Sequence, residues 1–451
     1  MKMWLSLLLV CVAGLNAVGA EKPNLVIFLS DDHTWRDSSV YGSKEMSTPN
    51  MARLAAKGMT FDRAYVASPS CAPSRAALLT GLYPARNGAE ANHARPRKEI
   101  KKLPAYLQEL GYEVVSFGKV GHYAQTPEYG FDLAKHFKYH EDIAVPAALE
   151  WLKARESDRL LCLFVGTNWP HVPWPKDPGD LKAEDQTPPP HHVNNLRTRE
   201  RRAHYHAAVK IMDRELGEVF DLAYAKLGPN TLFIHTSDHG AQWPFGKWTL
   251  YDDGIRTPLI ATWPGRIPEN KRNDALVSWI DLLPTLVEAA GGTQPEGIDG
   301  RSLVKVMTGE AATHREMIFT THSGDGNNNV YPTRAATSPD GWTYIRNLHP
   351  EFRFTTHITT NPGDTGYWPS WVEASKKDLA AARVVQRYEA RPAEELYDNN
   401  RDPYQLKNLA HDPESHPRLE AMRKSLDEWM RQTGDEQRVF GEPKLLAAPA
   451  E

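Results

Sequence analysis

The sequence is poor in cysteine, with 3 in 451 residues. Cys11 lies in an apolar N-terminal segment, which leaves Cys71 and Cys162 for the rest of the chain. Two cysteines allow one disulfide at most, so a scaffold held together by several bridges is excluded. Cys162 lies in an apolar run typical of a buried strand, whereas Cys71 stands among proline, serine and arginine. These unlike surroundings favour two free thiols over a bridge.

The chain also lacks an excess of charge of either sign. Its formal net charge is −4, and no segment concentrates lysine and arginine, which excludes nucleic acid as a partner. Tandem repeats are absent, and the proline-rich stretch 187–190 is the only biased tract. With 41% hydrophobic and 24% charged residues, the composition is typical of a folded globular protein. At 451 residues we expect a large α/β domain with a smaller second domain.

Long hydrophobic runs are absent after the N-terminus. At the N-terminus itself, Lys2 is followed by an apolar run over residues 4–15 and by small residues at 17–20. This run is shorter than the roughly 20 residues of a membrane span and ends in a cleavable pattern. The sequence therefore predicts a signal peptide over residues 1–20, a secreted or periplasmic protein, and no membrane partner.

Apolar runs alternate with helical patterns over about the first 290 residues. We expect buried strands at 24–30, 113–118, 159–165 and 231–237. Helices are predicted between them, at 49–57, 104–110 and 199–226. This order predicts an α/β fold: a large mixed, mostly parallel sheet covered by helices on both faces.

The pattern changes after about residue 330. A half-exposed strand is predicted around 341–346, and an amphipathic helix at 417–432. The sequence thus predicts a large α/β domain over 21–330 and a smaller α+β domain with an antiparallel sheet over 331–451.

Acidic side chains follow two of the predicted parallel strands. Asp31 and Asp32 come after the first strand and Asp238 after the strand at 231–237. Carboxyl ends of parallel strands meet at one edge of a sheet, where ligands bind. Adjacent carboxylates repel unless a cation lies between them, and oxygen ligands suit Ca²⁺ or Mg²⁺. Turn capping would explain any one of these residues alone; three together favour a divalent metal.

Cys71 stands at the start of a predicted helix over residues 74–79, which Gly81 can end. A helix N-terminus lowers the pKa of a thiol and also binds anions. The residues themselves leave three alternatives open: a reactive thiolate, an anion site or a simple buried cysteine.

The segment Cys71-Ala-Pro-Ser-Arg75, followed by Leu-Thr-Gly at 79–81, resembles the signature of formylglycine-dependent sulfatases, a family of the alkaline phosphatase superfamily. Further segments are similar to that family in the same order, at 48–58, 237–240, 246–251, 254–259, 395–398, 402–403 and 408–410. The resemblance implies that a formylglycine-generating maturation enzyme oxidises Cys71, whose hydrated aldehyde attacks sulfur. It also implies that Arg75 holds this hydrate and that Lys119 and Lys247 bind sulfate oxygens.

Three histidines match the family less closely. His122 resembles the histidine beside the nucleophile, although Gly121 places it three residues after the lysine rather than two. His171 resembles the histidine that faces the leaving atom and could protonate it. His239 follows Asp238, at a position where asparagine is commoner in the family. The resemblance implies that a metal is bound by Asp31, Asp32, Cys71, Asp238 and His239. The expected cofactor is Ca²⁺, with Mg²⁺ as the alternative.

The substrate implied by the resemblance is a sulfated glycan. The segments 117–122, 331–334, 342–347 and 395–398 look most like N-sulfoglucosamine sulfohydrolases, with residues 169–192 and 353–371 as expected pocket walls. An O-sulfatase on another sulfated polysaccharide and a phosphonate or phosphodiester hydrolase of the superfamily are the enzymatic alternatives. The non-enzymatic alternative is a glycan-binding protein without catalytic activity. The sequence also allows a homodimer.

Overall fold

The computed structural model describes residues 21–138, 141–363 and 365–447, so the predicted signal peptide at 1–20 lies outside the described residues. The strands are β1 Asn24–Ser30, β2 Met59–Phe61, β3 Ala64–Tyr65, β4 Glu113–Gly118, β5 Leu133–Lys135, β6 Leu161–Gly166, β7 Thr231–Ser237, β8 Leu259–Thr262, β9 Lys271–Asn273, β10 Val277–Ser278, β11 Ile318–His322, β12 Thr333–Thr337, β13 Trp342–Asn347 and β14 Glu394–Asp398.

The α-helices are α1 Pro49–Ala56, α2 Cys71–Thr80, α3 Pro84–Asn87, α4 Leu103–Glu109, α5 Ala144–Ala154, α6 Leu196–Leu227, α7 Asp252–Ile255, α8 Leu282–Ala289, α9 Val304–Met307, α10 His357–Thr360, α11 Trp368–Ser375, α12 Leu379–Glu389 and α13 His416–Thr433. None of the helices in the described ranges is long and apolar enough to cross a bilayer.

Eight strands form the main sheet, in the order β5-β4-β6-β1-β7-β8-β2-β9. The four predicted strands are adjacent at its centre and parallel, and β8 runs antiparallel to both β7 and β2. Helices α1, α5 and α6 pack together against this sheet, and α2, α4 and α8 form a second group. The predicted mixed, mostly parallel sheet with helices on both faces is confirmed.

The sheet brings the ends of β1, β4 and β7 to one edge because these strands are parallel and in register. Gly118 and Gly166 end β4 and β6 side by side, and a Cβ on Gly166 would lie 2.3 Å from the carbonyl oxygen of Lys119. Only glycine allows this close approach, which sets the backbone position of Lys119.

The C-terminal region holds a four-stranded antiparallel sheet, in the order β11-β12-β13-β14, with α13 packed on it. The predicted antiparallel sheet is confirmed. Because β11 begins at Ile318, the sheet starts before residue 331, and the domain boundary stays a prediction. Tyr344 and Leu396 of this sheet share a buried cluster with Ala77 of α2, so the two regions meet behind the Cys71 helix.

Candidate active site

Cys71 is the first residue of α2, and all ten residues of this helix are buried. The helix ends at Gly81, whose φ of 66° is left-handed as a C-cap requires. The Ser74 hydroxyl donates to the carbonyl of Asp238, 2.6 Å away, which ties the first turn of α2 to the end of β7. The predicted helix is confirmed, and Cys71 stands at its N-terminus.

The Cys71 thiol lies among positive groups. Its Sγ is 3.4 Å from Lys119 Nζ and 3.3 Å from His239 Nε2. Burial alone would raise the pKa of this thiol, but Lys119, Lys247 and His239 lower the pKa well below its usual value. Cys71 and Cys162 are both free thiols, as predicted. The position therefore stabilises a negative charge at the start of α2.

Three buried carboxylates each contact one of three buried cations. Lys119 Nζ is 2.6 Å from Asp31 Oδ2, and Lys247 Nζ is 2.8 Å from Asp32 Oδ1. Arg75 binds Asp238 Oδ2 through Nε at 3.0 Å and Nη2 at 2.9 Å. The structure thus brings together the predicted residues of β1, α2, β4 and β7.

Four residues offer ligand atoms that lie within 4.8 Å of one another: Asp31, Asp32, Cys71 and His239. Asp31 Oδ1 is buried and has no hydrogen-bond partner in the described part of the chain. Burial raises the pKa of Asp32 to about 7 even though Lys247 lowers it, so the Asp32 carboxylate favours more positive charge. Against burial, Lys119 holds the pKa of Asp31 well below its usual value. Two of the four donors are carboxylate oxygens, and position 71 would add a third oxygen once its thiol is matured to formylglycine; with that oxygen the group would fit a divalent cation such as Ca²⁺.

His239 has the geometry of a ligand held in one orientation. Its Nδ1 is 3.0 Å from the carbonyl oxygen of Gly240, which can only accept, so Nδ1 carries a hydrogen. Against burial, Asp238 and Cys71 raise the pKa of His239 to about 9, so Nε2 would have to give up its proton to bind a metal. Asp238 is not one of these four residues. Its Oδ2 binds Arg75 and also lies 3.4 Å from His239 Nε2. Ligation by Asp238 stays a prediction.

His122 and His171 line the same cleft as Cys71. His122 Nε2 shares a hydrogen with His93 Nδ1 at 2.8 Å, and burial lowers the pKa of His122 although its bond to Cys71 raises it. His171 Nε2 is 3.7 Å from Asp32 Oδ2, and its Nδ1 donates to the carbonyl of Val172 at 2.6 Å. Burial, followed by Lys247 and Lys119, holds the pKa of His171 well below its usual value, so this imidazole is neutral.

A cleft of about 370 Å³ opens above Cys71. The segment 169–192 contributes His171 and Val172 to its walls, and 353–371 contributes His357 and Asn361. Its other lining residues are Asn92, His93, His122, Tyr123, Gln242, Lys247, Trp248 and Asp325. A larger groove of about 530 Å³ runs along α13 and holds none of the predicted site residues.

Sequence reasoning missed His93 and Asp325, and it did not single out Trp248 or His357, although His357 lies in the predicted wall 353–371. Trp248 directly follows Lys247 in a segment already assigned to the site, so this neighbour could have been found. Asp325 lies in Gly324-Asp-Gly-Asn-Asn-Asn329, a polar turn that indicates a loop and nothing about its place in the fold. His93 and His357 follow no local pattern.

The sulfatase family model matches residues 23–292, which is more than half of the chain. An ulvan-active sulfatase of Formosa agariphila is 30% identical over 426 residues, covering 92% of this chain and 81% of that protein. An N-acetylgalactosamine-6-sulfatase of Canis lupus familiaris is 33% identical over 376 residues, covering 70% of this chain and 72% of that protein.

A solved structure described as a 2-O GAG sulfatase shares the fold, with a TM-score of 0.71 at 23% identity, covering 94% of this chain and 95% of that one. The family model and the two sequence relatives agree with the family that the motif at Cys71 resembles. The chain belongs to the sulfatase family, the formylglycine-dependent family that its sequence resembles.

Proposed function

We propose that the protein hydrolyses a sulfate ester on a sugar unit of a sulfated polysaccharide, with Cys71 matured to formylglycine as its nucleophile. One observation carries the proposal: Cys71 begins a buried helix with Lys119 and His239 within 3.4 Å of its Sγ. The thiol marks where the formylglycine side chain would stand. As its hydrate, formylglycine supplies one hydroxyl to attack sulfur and a second whose loss of a proton releases sulfate.

The chain's own residues would bind and orient the sulfate. Lys119 and Lys247 lie on the Cys71 side of the cleft and supply positive charge for sulfate oxygens, while Arg75 would hold the nucleophile. Fixed cations in a buried site stabilise charge that develops during transfer, because they need no reorganisation. Asp31, Asp32, His239 and the matured residue at position 71 would hold Ca²⁺, with Asp238 as a further predicted ligand, and the ion would supply further positive charge beside the nucleophile.

His171 is the candidate proton donor to the leaving atom of an O-sulfate or an N-sulfate. Its neutral form carries the hydrogen on Nδ1, so it must take up a second proton before Nε2 can protonate a leaving atom. Either leaving atom therefore needs an imidazole that has gained a proton, which the negative charge of a bound sulfate would favour.

The names of the relatives support an ester substrate, since they describe an ulvan-active sulfatase and an N-acetylgalactosamine-6-sulfatase. N-sulfoglucosamine is the second candidate, and it rests on the resemblance of segments such as 117–122 and 395–398 to N-sulfoglucosamine sulfohydrolases. We further propose that the protein is exported through its N-terminal segment, and that a formylglycine-generating enzyme is its maturation partner.

A substrate panel tests the proposal. Matured protein is incubated with 2-O-, 3-O- and 6-O-sulfated sugars, N-sulfated glucosamine, a phosphodiester and a phosphonate, and free sulfate or phosphate is followed. Release from an O-sulfated sugar is expected. Release of sulfate from N-sulfated glucosamine alone would show that the substrate is a sulfamate and not an ester. Hydrolysis of the phosphodiester or phosphonate alone would favour a phosphodiester or phosphonate hydrolase of the superfamily. Binding of a sulfated sugar without release would favour a glycan-binding protein.

A further inference from the structure

The cleft wall contains a cluster whose centre is Asp325. Trp248 Nε1 donates to Asp325 Oδ2 at 2.7 Å. His93 Nε2 is 3.2 Å from Asp325 Oδ1, and His357 Nε2 is 3.4 Å from Oδ2. The side chain of Asp325 is 3% exposed, whereas those of His93 and His357 are 61% and 31% exposed. A buried carboxylate thus holds three rings that line the cleft.

The backbone around this cluster is held in place from several directions. His93 has a φ of 66°, which is unfavourable for a residue with a side chain, and Gln125 donates to its carbonyl oxygen. Asn92 N donates to the carbonyl of Gly324 at 2.9 Å, which joins the His93 loop to the Asp325 turn. A strained residue persists when its surroundings fix it, and such residues are common at binding sites.

A second set of bonds joins the Asp325 turn to α10. Thr360 Oγ1 donates to Asn328 Oδ1 at 2.6 Å, and Asn328 Nδ2 is 3.2 Å from His357 Nε2. The His357 ring stacks on Trp248 with centroids 5.4 Å apart and an angle of 20°. This wall is therefore fixed before any ligand enters, and the C-terminal region supplies half of it.

The charge of the wall limits what it can accept. Of the described residues that line the cleft, Lys247 alone is a lysine or arginine, and it belongs to the sulfate end. The hydrogen bond with Asp325 is the main cause that raises the pKa of His93, so positive charge gained by His93 is offset by the carboxylate. The uncharged polar lining includes three amide groups, from Asn92, Gln242 and Asn361, which suit sugar hydroxyls.

We propose that Asp325 is a positioning residue that orients His93, Trp248 and His357 as a sugar-binding wall, and that this wall selects a sugar whose only acidic group is the scissile sulfate. A second sulfate or a carboxylate at the wall would lose its hydration without gaining an unpaired cation. The inference rests on the proposed function, because it takes a sulfated sugar as the occupant of this cleft.

Binding measurements test it apart from turnover. In a Cys71→Ala background, calorimetry gives Kd for N-acetylgalactosamine 6-sulfate, for its 4,6-disulfate and for inorganic sulfate, which serves as the reference for the sulfate end. We expect the monosulfated sugar to bind more tightly than the disulfated one by about tenfold, the effect of about one charged hydrogen bond. Asp325→Asn should weaken binding of the monosulfated sugar by about tenfold relative to binding of inorganic sulfate. It should also reduce the preference for the monosulfated over the disulfated sugar to less than about threefold.

Asp435→Asn is the matched control. It removes another buried carboxylate of the C-terminal region, one that pairs with Arg334 away from the cleft. It should leave the preference between the two sugars at its parent value. If Asp325→Asn does not fold, as judged by thermal unfolding, His357→Gln serves instead and should lower the same preference, because it removes one ring of the wall.

An unchanged preference in the folded Asp325 or His357 variant, tighter parental binding of the disulfated sugar, or no binding of the monosulfated sugar would each overturn the inference. If the binding pattern holds while matured protein with Cys71 releases no sulfate, the inference is supported and the proposed function fails. The two failures are therefore distinguishable.

Discussion

The buried charges around Cys71 depend on one another. Desolvation is costly for each ion, and each one here is retained through a close partner of opposite charge, such as Lys119 with Asp31 and Lys247 with Asp32. The same lysines lower the pKa of Cys71, so they act on the nucleophile position as well as on the carboxylates. Removing one lysine should therefore affect both charge balance and catalysis.

Lys247→Met tests this dual role. Methionine keeps much of the side-chain length and removes the charge, so we expect kcat/KM for a sulfate ester to fall by about 10²–10³-fold, as for other losses of fixed transition-state stabilisation. Lys210→Met is the control, because Lys210 is an exposed residue of α6 paired with Asp180. Free-sulfate assays measure the effect, and a fall of less than about threefold would contradict the assigned role.

The loop that carries His171 is anchored to α6 through a buried carboxyl group. Thr167 Oγ1 donates to Glu215 Oε2 at 2.5 Å, and Trp169 Nε1 donates to Asp142 Oδ2 at 2.6 Å. Burial is the main cause that raises the pKa of Glu215 to about 8, and nearby Asp142 raises it further. The folded protein therefore holds this proton more tightly than the unfolded chain.

This anchor predicts a pH dependence of stability. The contribution of protonated Glu215 is fully present below its unfolded pKa of about 4.3 and is lost as pH rises through 8. Glu215→Gln should remove this loss, which is on the order of 5 kcal/mol between those limits. Urea unfolding at acidic and alkaline pH measures it, with Glu218→Gln, an exposed change on the same helix, as control. An equal pH slope in wild type and Glu215→Gln would refute the prediction.

The elements that sequence reasoning predicted well are the continuous apolar runs. β1, β4 and β7 have the predicted bounds, and β6 starts two residues later than expected, at Leu161. Long amphipathic segments such as α6 were also found, although it extends beyond the predicted bounds to Leu196–Leu227. The short strands β2, β5 and β9 have three residues each and carry too little pattern to be predicted.

The site was predictable where chemistry follows a strand end or a motif, as for Asp31, Lys119 and Cys71. It was not predictable where tertiary structure alone brings residues together. Asp325 and His93 are far apart in the sequence, and their contact depends on how the C-terminal region packs beside α2. No local signal encodes that packing.

The whole molecule should depend on a divalent cation for stability. Asp31 and Asp32 share one buried site, and their mutual repulsion falls when a cation binds. At a Ca²⁺ concentration of about 100 times Kd, binding should stabilise the folded state by about 2.7 kcal/mol. Chelation should therefore lower Tm and stop sulfate release, and Ca²⁺ should restore both.

Asp31→Asn supplies the matched control for the metal. This variant removes one carboxylate charge from the cluster, so its Tm should respond much less to Ca²⁺. Differential scanning calorimetry with and without chelator measures the response in both proteins. A wild-type Tm and sulfate-release rate that are both insensitive to exhaustive chelation would contradict a metal at this site.

The central claim is that Cys71, matured to formylglycine, is the nucleophile of a sulfate ester hydrolase. The most direct measurement is the rate of sulfate release from an O-sulfated sugar in preparations that differ in aldehyde content at position 71, quantified by mass spectrometry of the peptide that contains it. The account predicts a rate proportional to the aldehyde fraction and zero rate at zero aldehyde. Full activity in a preparation whose Cys71 is entirely thiol would contradict it.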